Sequence, residues 1–230
     1  MSLAEQALTL PVPEAGCAVA GVLLRPDEAT WLLVLAHGAG AGMCHPFMED
    51  LARELAACRV ASLRYQFPFM EQRRKRPDPP AMLTATVRAA INGGREAAPD
   101  LPLLAGGKSL GGRMTALWLD DAPASQEAAG VRGLVFVGFP LHQPGRPAAQ
   151  RGAHLSRVAV PMLFLQGTRD RLADLPLMRQ LCATLGPLAT LHVVETADHS
   201  FHVPKRAGKS DAAVLRELAG TVRAWADSAC

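Results

Sequence analysis

Five consecutive residues carry the most chemistry in this sequence: Gly107-Lys108-Ser109-Leu110-Gly111. A serine with a glycine two residues to either side suits a sharp turn, because glycine clears backbone that a Cβ would strike. On such a turn Ser109 Oγ projects as a nucleophile, and the Leu110 N–H is placed to stabilise an oxyanion. An ordinary loop serine ahead of a helix is the plain alternative. A phosphate-binding loop is excluded, since G-x-x-x-x-G-K-[ST] needs its first glycine at position 102, where Pro102 has no N–H to offer.

A nucleophilic serine needs a base and a carboxylate to orient it, in the order Ser, acid, His. Asp170 lies 61 residues on, in Gly167-Thr168-Arg169-Asp170, and His199 lies 29 further, in Asp198-His199-Ser200-Phe201. Asp174 competes with Asp170 but stands directly before LPLMRQLCATL, where it reads as a helix N-cap. His202 reads as a rim or surface residue, and a His199–His202 metal pair lacks a third ligand at suitable spacing, so no metal site is expected. The early run His37-Gly38-Ala39-Gly40-Ala41-Gly42 lets backbone approach a substrate closely, and the Ala39 N–H is the expected second oxyanion donor. Gly38 is a possible pocket residue, and His37 braces this loop or borders the pocket. Lys108 fits either the steering of an anionic substrate or a rim position, and His142 either lines the pocket or makes a structural hydrogen bond.

These residues need elements that bring them together. Periodicity predicts strands over 17–24, 31–36, 59–65, 101–105, 131–137, 162–166 and 190–195. It predicts helices over 46–58, 80–98, 110–119, 174–185 and 211–226, with loops at 77–80 and 140–147. Short apolar strands alternating with helices imply a mostly parallel sheet covered by helices on both faces. In such a sheet Ser109, Asp170 and His199 all follow strand carboxyl ends, so they collect on one edge.

Bulk numbers bound the rest. The chain has 230 residues, 49% hydrophobic and 20% charged, enough for one α/β domain over 1–230 and too few for two comparable ones. A net charge of +3 does not indicate nucleic acid as a partner. No apolar run approaches the roughly 18–20 residues that span a bilayer, so no membrane association is expected. Five cysteines without metal-like spacing read as reduced thiols, and the N-terminal segment lacks the basic and apolar regions of a signal peptide, so a cytoplasmic location is expected. Cys44 reads as a small packed residue near the glycine-rich loop. The run Arg73-Arg74-Lys75-Arg76 lies within a stretch, 64–95, of net charge +5, and reads as solvated loop charge or a docking surface.

With these residues placed, the chain resembles the α/β-hydrolase superfamily over nearly its whole length. More narrowly it is similar to the small hydrolase-like family that contains a testis-expressed protein and a subunit of a histone-acetyltransferase complex, and to dienelactone-hydrolase-like proteins. The resemblance lies in HGAGAGMCHPFM (37–48), LAGGKSLGGRMTA (104–116), VRGLVFVGFPLHQP (131–144), LFLQGTRD (163–170) and ETADHSF (195–201). It implies an α/β-hydrolase fold with Ser109, Asp170 and His199 as a triad. Larger relatives carry a cap between the strands that here end near 137 and begin near 162, and the roughly 24 residues between them are too few for one. The expectation is a shallow site without a cap, acting on a small acyl substrate such as an ester or thioester, with no cofactor required because every reacting group is protein. The alternative is an interaction protein that keeps the hydrolase scaffold without using its chemistry.

Overall fold

A computed structural model describes residues 4–121 and 130–230. Eight strands form one sheet in the order β1-β2-β4-β3-β5-β6-β7-β8. They are β1 (Glu5–Val12), β2 (Cys17–Leu24), β3 (Trp31–Ala36), β4 (Val60–Tyr65), β5 (Leu103–Lys108), β6 (Val131–Val137), β7 (Met162–Gly167) and β8 (Ala189–Val194). β2 runs antiparallel to both β1 and β4, and the remaining pairs are parallel. The helices are α1 (Pro46–Ala57), α2 (Pro68–Glu71), α3 (Pro80–Ala97), α4 (Leu110–Asp121), α5 (Leu175–Leu185) and α6 (Asp211–Ala229).

The central strands are apolar without alternation because both of their faces are covered. Side chains still sort with a period of two. Leu32, Val34, Leu134, Phe136, Met162 and Phe164 pack toward α3 and α4 in one core. Leu33, Leu35, Val135, Val137, Leu163 and Leu165 pack toward α1 and α6 in the other. α1 starts at Pro46 with the His45 ring accepting from the Phe47 N–H. α5 starts after Asp174, whose carboxylate accepts from the Leu177 N–H, as its N-cap position predicts.

Beyond shifts at element ends and short 3-10 helices, three differences from the sequence reading bear on the fold. β1 lies outside the expected strands: its Ala, Gln and Pro residues carry little strand signal, and Pro11 is tolerated because the strand lies at a sheet edge. β5 begins and ends later than expected, since Gly106-Gly107-Lys108 continues the strand instead of opening the turn. The short α2 also escapes periodicity, being a single turn. Within 138–161 a 3-10 helix (Gln150–Arg157) packs against α4 and α5. Among the described residues no helix is long and apolar enough to cross a membrane.

Candidate active site

The serine sits where strand meets helix. β5 ends at Lys108, α4 begins at Leu110, and Ser109 between them takes φ 52°, a left-handed conformation that costs a non-glycine residue roughly 1–3 kcal/mol. The turn is pressed against the end of β3. A Cβ on Gly107 would lie 2.4 Å from the Ala36 carbonyl oxygen, and one on Gly111 would lie 2.6 Å from Ala36 Cβ and from the His37 carbonyl oxygen. Both outer glycines of the motif are therefore needed for close approach to β3. The Ser109 N–H donates to the Val137 carbonyl at 3.1 Å, tying the turn to β6 as well.

Asp170 and His199 follow β7 and β8 and meet this serine. His199 Nε2 lies 2.9 Å from Ser109 Oγ, and His199 Nδ1 lies 2.7 Å from Asp170 Oδ2. With Nδ1–H donating to the carboxylate, Nε2 is left to accept the serine proton. Asp170 is almost fully buried and is held by further donors: the Leu172 N–H reaches Oδ1 at 2.8 Å and Gln166 Nε2 reaches Oδ2 at 2.5 Å. Gln166 is wholly buried at the end of β7. Its fixed role was missed in the sequence, although a lone polar residue closing the apolar run MLFLQ was a usable signal.

A cleft of about 470 Å³ opens over Ser109 and His199, walled by Ala39, Ala41, Phe47, Met48 and Leu172. Gly38 and Lys108 also border it. Among the described residues, neither the Ala39 N–H nor the Leu110 N–H has a backbone acceptor, so both donors remain available. The loop carrying Ala39 is braced from behind. Gln66 Oε1 accepts from the Met43 N–H at 3.0 Å and occupies the space that a Cβ on Gly42 would need.

Of the two readings open for His37 and His142, both side chains take the structural one and lie outside the cleft. His37 is fully buried behind the glycine-rich loop, where Nδ1 donates to the Gly38 carbonyl at 2.6 Å and Nε2 accepts from the Phe67 N–H at 3.0 Å. Burial lowers its pKa to about 4, so the ring is neutral and acts as a fixed brace. His142 Nδ1 donates to the Gln143 carbonyl while Nε2 accepts from the Asp174 N–H at 2.8 Å, which fixes the start of α5 instead of lining the cleft. His202 is exposed and pairs with Asp211, whose carboxylate raises its pKa. Cys44 is exposed and not packed as expected, lying inside the turn ahead of α1 that the His45 N–H to Gly42 carbonyl bond closes. Among the described residues no three His, Cys, Asp or Glu side chains converge as a metal site requires.

A family model described as an alpha/beta hydrolase domain matches residues 29–227. The chain is an α/β hydrolase. The hydrolase is similar in fold to a dienelactone hydrolase from Anabaena variabilis, with TM-score 0.73 and 21% identity over 98% of this chain and 97% of that one. An alpha-beta serine hydrolase homologue from Coxiella burnetii superposes with TM-score 0.73 and 19% identity over 96% and 98% of the two chains. A serine hydrolase without a lid from Xanthomonas campestris gives TM-score 0.70 and 22% identity over 98% and 96%. These likenesses match the eight-stranded mixed sheet described above.

Proposed function

We propose that this hydrolase cleaves an ester, thioester or similar acyl bond through an acyl-Ser109 intermediate. The observation that carries the reading is the unbroken hydrogen-bond path from Ser109 Oγ through the His199 ring to Asp170 Oδ2. Ser109 Oγ attacks the acyl carbonyl carbon as its proton passes to His199 Nε2. The oxyanion of the tetrahedral intermediate accepts from the Ala39 and Leu110 N–H groups. His199 returns the proton to the leaving alcohol or thiol, and the acyl-serine remains. Water then attacks that ester, gives its proton to Nε2, and the collapse of the second intermediate releases the acid and restores Ser109. Asp170 fixes the imidazole tautomer and stabilises the imidazolium.

The walls of the cleft favour small substrates. Ala39 and Ala41 leave space near the nucleophile, and Phe47, Met48 and Leu172 supply apolar contact for a short acyl or aryl group. A fluorophosphonate probe tests the reading directly. Mass spectrometry should place the label on Ser109, and Ser109→Ala should lose both label and turnover while melting like the wild type. A well-folded wild-type protein that takes no label would overturn the proposal.

A further inference from the structure

Lys108 precedes the nucleophile, yet acyl transfer as described gives its side chain no task. Its Nζ turns inward, donating to the His199 carbonyl oxygen at 2.6 Å and standing 5.7 Å above the centre of the Phe201 ring. A lysine at a cleft edge ordinarily carries its ammonium out to water. Here burial lowers the pKa to about 8, even though the Asp170 and Asp198 carboxylates act to raise it. Gly138 makes room for this arrangement. A Cβ there would lie 3.1 Å from Lys108 Nζ and 3.5 Å from His199 Cε1 and Nδ1, so ammonium and imidazole flank one point beside β6.

The histidine loop has its own internal bonds, and none of them reaches the serine turn. Asp198 Oδ1 accepts from the Ser200 and His202 N–H groups, and the Asp198 N–H donates to the His202 carbonyl. Thr196 N–H to Thr168 Oγ1 and Arg169 N–H to the Ala197 carbonyl tie the loop to the acid loop. Apart from the reacting Ser109–His199 pair, the hydrogen bond among the described residues that joins the serine turn to the base runs from Lys108 Nζ to the His199 carbonyl.

We propose that Lys108 is a positioning residue that latches the histidine loop to the serine turn and holds a positive charge beside the His199 imidazole. The proposal rests on the acyl-serine reading. A near-attack geometry tolerates little displacement, since a shift of about 1 Å can cost about 10²-fold in rate. Losing the latch therefore lowers kcat more than it raises KM. Losing the positive charge favours imidazolium, so the acid limb of the rate profile moves to higher pH. The carboxylates facing this pair, Asp170 and Asp198, act in that same direction once the ammonium is gone.

The experiment compares wild type, Lys108→Met, Lys108→Gln and Lys108→Arg on p-nitrophenyl acetate across pH, with melting temperatures alongside. Lys108→Met should lose roughly 10–100-fold in kcat with KM within about twofold. Its acid limb should rise by roughly one pH unit, and Lys108→Arg should recover most of the rate. Wild-type kcat and an unmoved profile in Lys108→Met would overturn the proposal, as would a loss confined to KM. If Lys108→Met melts below the assay temperature, Lys108→Gln carries the test: it removes the charge and keeps a donor, and an unmoved acid limb would sink the idea. Failure of the underlying reading is distinguishable, because wild-type protein would then take no fluorophosphonate label. Equal labelling rates in wild type and Lys108→Met would remove only the role of Lys108.

Discussion

A neutral imidazole sealed behind the glycine-rich loop makes the stability of the molecule depend on pH. The unfolded chain protonates His37 near the ordinary value of about 6.5, while the folded chain resists until about 4. Between those values the unfolded state binds more protons, so the contribution of His37 is full above about 6.5 and is lost as pH falls toward 4, by about 3 kcal/mol in all. Urea unfolding at pH 7, 5 and 4 checks this. His37→Gln should start less stable, having lost its brace, and then decline more shallowly than wild type by about that amount; parallel declines would show that His37 is not the titrating group. At this scale the sequence was a partial guide. Ser109, Asp170 and His199 stood out because each polar residue follows an apolar strand. The partners of His37, Lys108 and Gln166 did not, because a link such as Lys108 to His199 joins residues 91 apart and exists only once the sheet has formed. Buried Arg64 is a further example, since it joins the Met43 carbonyl to Glu5 and Glu49 across three elements.

The serine turn depends on how closely β5 and α4 approach β3. A methyl added at Gly107 meets the Ala36 carbonyl oxygen, which belongs to the parallel ladder and cannot move without breaking register. Gly107→Ala should therefore cost about 1–3 kcal/mol or more. For a chain of this size that lowers the melting temperature by roughly 3–10 °C. Gly40 provides the internal control, because it borders the same cleft but a Cβ there meets nothing within 4 Å. Gly40→Ala should shift the melting temperature by no more than about 2 °C, and equal losses in the two variants would refute the close-approach account. Most elements were legible because apolar runs and helical periods are local. β1 was not, since its strand character comes from pairing with β2 and from burial of Leu10 and Val12 against the rest of the core.

At the scale of the whole molecule, the 138–161 segment packs its 3-10 helix on the side of the sheet that carries α4 and α5. The cleft consequently stays open, and a long acyl chain would find no covering wall. Turnover of p-nitrophenyl esters should be greatest for short acyl groups and decline for decanoate and palmitate, without an abrupt rise when the substrate forms micelles. A preference for long chains with such a rise would contradict the open-cleft account. The basic run follows α2 on a loop, where Arg73, Lys75 and Arg76 are exposed and Arg74 pairs with Asp78. One feature of the sheet bears on the time course of folding. Ser109, Asp170 and His199 follow the fifth, seventh and eighth strands, so the hydrogen-bond path between them closes only after β8 has docked beside β7. Contacts so distant along the chain form late, because loop closure must precede them. A growing chain thus displays Ser109 well before His199 can reach it, and on the proposed reading reactivity at Ser109 marks the finished molecule.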